Sequence, residues 1–468
     1  MVGLTGIGSG IDIDSIVSAL VTAEKAPKEA QLSRLETTTT TKFSALGTLN
    51  SALSEFQTAL EALNDKSLFE NRTATSSKSS MLTAVAGKAA LSGSYSIEIN
   101  RLAAGSKVAT ASIDSTFTSG SAAETISVKL GAAGASTDIT IAAGSDLAST
   151  RDQLNAALKD KGISANIVSD PSSGQSRLVF TSSATGAGKD VIVSGNGSLS
   201  GLSVDGTQAI NTADSSSAGY ITQAVDAEFS VDGLVLHSAT NSVSGAIPDV
   251  TFELISKTTD STPLTLTVGQ DTAGVTASVQ KFVDAYNKLI TTSNQLTSVV
   301  TVGDGEPVVG GLVGDSSVRN LLTSVRNQLV NPVGENGMRM LTDLGISTQS
   351  DGTLAIDDDK LKTALESNFD AVSTYFTGET GLMTRLNNSV DGFSKSGGVF
   401  EQRMDGLQAT LSDIDTQRED LARRIESVQA RLYSQFNAMD SLISQLNSTS
   451  DSLANALDSL PGVVKKDS

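Results

Sequence analysis

The sequence contains no cysteine, no tryptophan and a single histidine in 468 residues. Without cysteine the chain forms no disulfide and performs no thiol chemistry. Long apolar runs are also missing, so we expect no segment that spans a membrane. The N-terminus has no basic residue before Lys25, and Asp12 and Asp14 interrupt its apolar part, so we expect no cleaved secretory signal peptide. Composition alone therefore indicates a cytoplasmic protein.

Basic residues are scarce as well. Lys and Arg number 33 against 52 Asp and Glu, which gives a net charge of −19. An acidic chain is repelled by the phosphates of nucleic acids and by anionic lipid surfaces, so we expect neither as a partner. The length is sufficient for about two to four domains with cores of their own.

Two glycine-containing segments are poor candidates for nucleotide binding. The segment "TGIGSGID" has the pattern G-x-G-x-G without a preceding strand, whereas a dinucleotide loop needs G-x-G-x-x-G after a strand. In "ATGAGKD", Ser183 replaces the first glycine of a phosphate-binding loop and Asp190 replaces its Ser or Thr. We therefore expect no cofactor, and a flexible N-terminal segment that leads to a helix capped by Asp12.

The acidic run and the histidine also have structural explanations. Asp357 to Asp359 could suggest a calcium site, but acidic residues are favoured at a helix start, where they face the positive end of the helix dipole. His237 lies in an alternating segment on the same side as Val235, which favours a structural role over a catalytic one. No G-x-S-x-G nucleophile motif is found. We predict no metal site, no catalytic residue and no enzymatic activity.

The first region of the sequence is helical. A helix is predicted over Ile13 to Lys25, and Pro27 should end or kink it. The β-branched run Thr37 to Thr41 is a weak point that should separate this helix from the next one. The second helix has apolar residues spaced alternately three and four apart, which is a coiled-coil seam: Leu46, Leu49, Leu53, Phe56, Leu60 and Leu63.

The middle, from about residue 80 to 268, alternates between apolar and polar residues in short segments separated by Gly, Ser or Asn. This pattern predicts β-strands, for example over "SYSIEINRL", "ETISVKL" and "SRLVFTSS". Asp232-Gly233 is typical of a two-residue hairpin turn. One helix is predicted over Asp146 to Lys159, and the segment Asn211 to Tyr220 is interpreted as a linker.

The last region is helical again. Three stripes of apolar residues at helical spacing predict three helices, and Asp315 is the expected N-cap of the second. The stripes are Val275, Val279, Phe282, Tyr286 and Leu289; Val318, Leu321, Leu322, Val325 and Leu329; and Leu361, Leu365, Phe369, Val372 and Phe376.

A long heptad seam follows and predicts a helix that extends beyond any compact domain. Arg418 and Gln435 interrupt it, either to fix the register or as tolerated exceptions. The apolar a and d residues are Met404, Leu407, Leu411, Ile414, Leu421, Ile425, Val428, Leu432, Met439, Leu442, Leu446, Leu453 and Leu460. Position e also becomes apolar toward the C-terminus, at Phe436, Ile443 and Leu457, which predicts contact with several partners.

These patterns predict an α+β multidomain fold with a discontinuous helical stem, coiled-coil N- and C-terminal helices and an inserted β-rich head of two subdomains. The expected division gives leg segments at 1–42 and 401–468 and a stem at 43–79 and 270–400. The inner head subdomain is expected at 80–104 and 220–269, and the outer one at 105–219. The apolar seam residues at both ends are the predicted assembly surface.

Several segments resemble the family of flagellar filament-capping proteins, also called flagellar hook-associated protein 2. "GSGIDIDSIVSALVTAEKAP" is similar to its N-terminal signature and "ALGTLNSALSEFQTAL" to the segment that follows. "FVDAYNKLI", "LVGDSSVRNL" and "LGISTQSDGTLAID" resemble its central helical part, and "QFNAMDSLISQLNSTSDSL" its C-terminal signature. All of them occur in the family's order, and only residues 105–219 lack a distinctive match.

The resemblance implies a structural assembly protein that caps the distal end of the bacterial flagellar filament and guides exported flagellin into it. It also implies a homo-oligomeric ring of about five or six copies, contacts with hook–filament junction proteins, and an export chaperone at the C-terminal region. The protein would then be extracellular, exported by the flagellar type III pathway without a cleaved signal peptide. This replaces the cytoplasmic location that composition alone indicates.

Two other classes of function are compatible with the residues. A surface adhesin would use the β-rich head to bind host glycans, and glycan binding by residues 80–268 would favour it. A hydrolase using His237 is the third alternative, and a His237→Ala variant distinguishes it from the others.

Overall fold

A computed structural model describes residues 10, 12–259, 262–301, 307–332 and 338–459. Asp12 caps the first helix, since its carboxylate accepts a hydrogen bond from the backbone N of Ser15 at 3.0 Å. In the described part of the chain the α-helices are α1 (Ile13–Leu63), α2 (Lys66–Glu70), α3 (Leu147–Leu158), α4 (Thr272–Thr297), α5 (Ser316–Val330), α6 (Asp358–Phe376), α7 (Leu382–Ser394) and α8 (Val399–Asp458).

The strands lie mainly between α2 and α4. They are β1 (Arg72–Ser76), β2 (Leu82–Ala86), β3 (Gly93–Arg101), β4 (Gly105–Ala109), β5 (Glu124–Leu130), β6 (Thr137–Ile141), β7 (Ile163–Ser169), β8 (Ser176–Thr185), β9 (Val191–Gly195), β10 (Val204–Asp205), β11 (Gly219–Thr222), β12 (Ala227–Val231), β13 (Leu234–Ser238), β14 (Ser242–Ile247), β15 (Val250–Leu254), β16 (Leu264–Gln270), β17 (Val299–Val300), β18 (Val308–Val309), β19 (Ile346–Thr348) and β20 (Leu354–Ile356).

The chain divides into two units, which we call the stem and the head. The stem is helical and combines residues 1–66 with 272–468, and the head comprises residues 67–271. The head is therefore inserted between the two parts of a discontinuous helical unit. The predicted fold class is confirmed: α+β, with a helical stem, long terminal helices and an inserted β-rich head.

The prediction of two separate N-terminal helices is wrong, because α1 is one helix of 51 residues that contains both Pro27 and the threonine run. The hydroxyls of Thr37 and Thr41 donate to backbone carbonyls four residues earlier, at 2.8 and 2.7 Å, so the run is accommodated within the helix. Pro27 removes one backbone hydrogen bond. Next to Pro27, α1 contacts α8, where Nζ of Lys28 donates to Oε1 of Gln417 at 3.0 Å.

The stem core forms around the second half of α1. The ring of Phe56 lies 6.0 Å from that of Phe282 and 6.1 Å from that of Tyr286, both on α4. The three predicted stripes are on α4, α5 and α6 and are buried, except that Leu322 is partly exposed. Asp315 caps α5 as expected.

The head contains two hydrophobic cores. The five-stranded sheet β1-β16-β3-β12-β13 and the three-stranded sheet β14-β15-β2 share one of them. The sheets β10-β9-β5-β6 and β11-β4-β8-β7 share the other with α3. At the turn between β12 and β13, Asp232 and Gly233 have φ of 50° and 82°, the backbone that the hairpin prediction requires.

The segment predicted as a linker is tied to the head. The guanidinium of Arg177 donates to the carbonyls of Ser217 and Asp214 at 2.7 and 3.0 Å. Tyr220 lies in β11, which pairs with β4. The Ser-rich composition that suggested a linker instead forms a hydrogen-bonded turn.

Candidate assembly surface on the terminal helices

The first half of α1 and the middle of α8 lie side by side and run antiparallel. Arg418 donates to the carboxylate of Glu36 at 2.5 Å, and Arg424 donates to that of Glu24 at 3.1 Å. Residue numbers along α8 rise from 418 to 424 while those of the contacted residues on α1 fall from 36 to 24, so the two helices are antiparallel. We call this pair the arm, defined as residues 13–44 of α1 and 407–435 of α8, and the name stem is kept for the rest of the helical unit without the arm.

Charge reinforces the register of the arm. The hydrogen bond from Arg418 lowers the pKa of Glu36, which keeps that carboxyl ionised. Near the other end, a hydrogen bond with Asp14 raises the pKa of Tyr433, so the first turn of α1 lies beside this tyrosine. Arg418 interrupts the heptad seam, and its contact with Glu36 favours the register-fixing interpretation over a tolerated exception.

The predicted N-terminal seam lies inside the stem. All six of its residues are fully buried against helices of the same chain: Leu46, Leu49, Leu53, Phe56, Leu60 and Leu63. These residues form the stem core, and a role of theirs in contacts between chains stays a prediction.

The predicted C-terminal seam falls into three groups along α8. Ile414 and Ile425 are buried in the arm. A second group is partly exposed: Met404, Leu407, Leu411, Leu421, Val428, Leu432, Phe436 and Ile443. A third group is exposed: Met439, Leu442, Leu446, Leu453 and Leu457, with exposed fractions from 43% to 60%. Leu460 lies outside the described residues.

The exposed group belongs to the last part of α8, residues 436–458, which we call the tail. In the described part of the chain α1 begins beside Tyr433, and the α8 residues that follow are mostly exposed. The tail contains Asp440, Asp451 and Asp458 and no Lys or Arg. It is an amphipathic helix whose apolar face is open to a partner, with acidic residues as its only charges.

Sequence reasoning missed two features of the stem. Arg403 forms an ion pair with Asp315, 88 residues away, at 2.6 Å. The short strands β17 and β18 expose the side chains of Val299, Val300, Val308 and Val309, which are between 50% and 65% exposed. The distant pairing leaves no local signal, whereas two pairs of valines separated by a sequence with two glycines could have suggested a hairpin.

The described residues offer no constellation for metal chemistry, since no group of three or more His, Asp or Glu side chains is placed to hold an ion. Asp357 instead caps α6, accepting a hydrogen bond from the backbone N of Lys360 at 3.1 Å, as the helix-start interpretation predicts. His237 is exposed on β13. Within the same described residues, none of the helices has the length and apolar character needed to cross a membrane.

Two models of one known protein family match this chain, one near each end. The model of the flagellar hook-associated protein 2 N-terminus matches residues 9–106, and that of the C-terminus of the same family matches residues 224–448. Between them, residues 125–184 match the flagellin hook IN motif.

Relatives match over nearly the whole chain. The A-type flagellar hook-associated protein 2 of Pseudomonas aeruginosa is 52% identical over 99% of this chain and 98% of its own length. Flagellar hook-associated protein 2 of Escherichia coli K12 is 32% identical over 96% of each chain. The crystal structure of the D1-D2-D3 domains of the Escherichia coli flagellar cap protein is also similar, with a TM-score of 0.56 and 29% identity over 78% of this chain and 99% of that one. The chain therefore belongs to the flagellar hook-associated protein 2 family.

Proposed function

We propose that this chain caps the distal end of the bacterial flagellar filament and promotes the insertion and folding of exported flagellin. Membership of the family supports the proposal. One solved structure to which this chain is similar is a flagellar cap protein, and the similarity covers 99% of that structure's length. The observation in this molecule that carries the proposal is the tail. Its apolar face is exposed in the single chain, and burial against another subunit would stabilise it.

The proposed mechanism is mechanical. Copies of the chain form a homo-oligomeric ring of about five or six, by family resemblance, with the heads as a plate. The terminal helices form legs that contact flagellin reversibly, and each insertion displaces them. The protein would act outside the cell, at the flagellar tip, after export by the flagellar type III pathway. Hook–filament junction proteins and an export chaperone at the C-terminal region are further proposed partners.

This function needs neither a cofactor nor a catalytic residue, so we propose a non-enzymatic protein. The relatives compared above give no support to the glycan-binding adhesin. The exposed position of His237 gives no support to the hydrolase alternative.

The decisive experiment changes the tail without touching the arm. In a strain that lacks its own copy of the gene, we expect the double variant Leu442→Gln/Leu446→Gln to export the protein but to grow few or short filaments. Filament length is measured by electron microscopy, and flagellin lost to the medium by immunoblotting. Both leucines are exposed, so the free energy of unfolding should change by no more than about 0.5 kcal/mol.

The matched control is Ser444→Gln/Ser448→Gln, which places the same side chain on the opposite face of the same helix. We expect filaments of normal length from this variant. Normal filaments from the leucine variant would contradict the proposal, and equal loss from both variants would show that the apolar face is not what matters.

A further inference from the structure

Two glycines lie inside the two longest helices of the stem without a packing reason. Gly47 is in α1 and Gly406 is in α8. A Cβ atom built at either position meets nothing within 4 Å, so neither glycine is needed for close approach of another element. Glycine weakens a helix interior relative to alanine because it has more backbone freedom to lose. A helix weakened in this way bends more easily at that point than a helix with alanine there.

The two glycines lie near the same level of the molecule. Arg418 contacts Glu36 across the two antiparallel helices, and Gly47 lies 11 residues after Glu36 while Gly406 lies 12 residues before Arg418. At about 1.5 Å per residue, this contact places the glycines about 17 and 18 Å away in the same direction. The contact of Arg424 with Glu24 gives about 35 Å for Gly47 and about 27 Å for Gly406. The two glycines are therefore level to within about one to two helical turns.

Packing changes at this level. On the stem side of Gly47, α1 buries six residues in little more than four turns: Leu49, Ala52, Leu53, Phe56, Leu60 and Leu63. On the other side, Ala45 and Leu46 next to Gly47 are also buried, but the long segment from Ile13 to Ser44 buries only four residues: Ile13, Val17, Leu32 and Thr39. The arm is thus held by far fewer apolar contacts than the stem.

The third helix of the bundle also ends here. The backbone N of Leu312 donates to the carbonyl of Leu296, in the last turn of α4, at 2.9 Å. The neighbouring Gly311 lies against α1, where an added Cβ would be 2.9 Å from the Cβ of Ala45 and 3.0 Å from the carbonyl oxygen of Thr41. The end of α4 is therefore level with residues 41–48 of α1. Past this level α1 and α8 continue without α4.

On its stem side α8 is firmly held. Phe400 is fully buried, and the centre of its ring lies 5.8 Å from that of Phe393 on α7. Arg403, one turn before Gly406, makes its ion pair with Asp315 at the start of α5. Motion of α8 relative to the stem must therefore begin after Arg403, at or beyond Gly406.

We propose that Gly47 and Gly406 together form a hinge at which the two-helix arm bends against the stem. From Gly47 to Ile13 the arm is about 50 Å long, so a bend of about 10° moves its end by about 9 Å. Such a hinge redirects the arm while both helices and the Arg418–Glu36 pair stay intact. Its use in a cap whose legs yield at each insertion rests on the proposed function, but the hinge itself is a property of the free chain.

The test is amide hydrogen exchange on the full-length chain. In the wild type, amides in the turns after the glycines, residues 48–51 and 407–410, should exchange faster than those of flanking turns with equal exposure. Gly47→Ala and Gly406→Ala fit the available space, and each should slow exchange in its own helix about five-fold. Because the helices bend together, each single variant should also slow exchange in the other helix.

Gly392→Ala is the matched control. Gly392 is in the last turn of α7, and a Cβ there also meets nothing within 4 Å. This variant should slow exchange in α7 and leave residues 48–51 and 407–410 unchanged. The hinge is overturned if the wild-type turns exchange no faster than their neighbours, or if each glycine variant affects its own helix alone. Neither result depends on whether the chain caps filaments.

Discussion

Arg403 of α8 and Asp315 at the start of α5 form a two-point ion pair, with Nη1–Oδ1 and Nη2–Oδ2 distances of 2.6 Å. The same carboxylate caps α5 by accepting a hydrogen bond from the backbone N of Ser317 at 2.8 Å. Its side chain is only 8% exposed. The carboxylate of Asp315 therefore has two roles. It caps the N-terminus of α5, and it holds the first turns of α8 against α5.

The first prediction follows from this double role. Asp315→Ala removes a helix cap and leaves the guanidinium of Arg403 without its partner. We expect the free energy of unfolding to fall by about 2.5–4 kcal/mol, because a cap is worth about 1 kcal/mol and a hydrogen bond to a charged group about 1.5–3 kcal/mol. Urea denaturation followed by helical circular dichroism measures the change.

Asp357→Ala is the control for the cap alone. Asp357 caps α6, and its ion-pair partner is the exposed, neighbouring Lys360 rather than a residue of another helix. We expect less than half of the loss seen for Asp315→Ala. Equal losses for the two variants would mean that the contact with Arg403 contributes nothing to stability.

The second prediction concerns pH. Burial is the largest influence on Asp315 and raises its pKa, but the hydrogen bonds from Arg403 and from the backbone of Ser317 together outweigh it, so the pKa lies below the ordinary 3.8. A carboxyl with a lowered pKa stabilises the fold above its unfolded pKa and loses this contribution as the pH falls through the folded value. Below pH about 4, the stability of the wild type should therefore fall more steeply than that of Asp315→Asn.

Denaturation midpoints at a series of pH values from neutral downward check this expectation. Other carboxyls with lowered pKa values titrate in both proteins, so the difference between the two curves isolates Asp315. Parallel curves would show that this carboxyl does not link protonation to folding.

A feature could be predicted from the sequence when the residues that form it are close together along the chain. Helix positions, the caps at Asp12 and Asp315 and the hairpin at Asp232 follow from local patterns, because caps and turns involve residues close in sequence. The continuity of α1 through Pro27 could not be predicted in this way, since it depends on α8, nearly 400 residues away. For the same reason the sequence shows that Arg418 interrupts a seam but not that Glu36 meets it.

The third prediction separates the core from the surface on α1. Phe56 is fully buried and contacts the rings of Phe282 and Tyr286. Phe56→Ala should lower the free energy of unfolding by about 3–5 kcal/mol, because it removes apolar burial and leaves a cavity. Leu20→Ala is the control on the same helix, since Leu20 is 46% exposed, and it should change stability by no more than about 0.5 kcal/mol. A small effect of Phe56→Ala would contradict the stem core described above.

The fourth prediction concerns the register of the arm. Arg418→Ala removes the contact with Glu36, so amides in residues 28–41 and 412–425 should exchange faster while those of α4 stay unchanged. Arg423→Ala is the control, because Arg423 pairs with Glu419 and Asp420 of its own helix and not with α1. We expect no change in the α1 half of the arm from this variant. Equal acceleration by both variants would show that Arg418 acts through α8 alone.

The sequence predicts which residues form the apolar face of the candidate site, but not that this face is exposed. The heptads identify every large apolar residue of the tail, yet the same spacing describes Leu49 or Leu60, which are stem core. Periodicity shows that a helix has an apolar face, but not which neighbour covers it. The exposed tail is distinguished from the paired arm by the position of the first turn of α1. This turn lies beside Tyr433, and the tail follows Tyr433 along α8.

The last prediction joins the hinge to the proposed function. The double variant Gly47→Ala/Gly406→Ala should be as stable as the wild type or more so, because alanine is the better helix former and space for its Cβ exists at both sites. We nevertheless expect shorter filaments and reduced swimming, since a stiffened arm resists displacement by each incoming subunit. Filament length per unit time, measured with a dye pulse on growing cells, is the readout, and Gly392→Ala should grow filaments at the wild-type rate. A loss of growth together with a loss of stability would point to misfolding, whereas normal growth with slowed amide exchange would show that the arm bends but that filament growth does not use the bend.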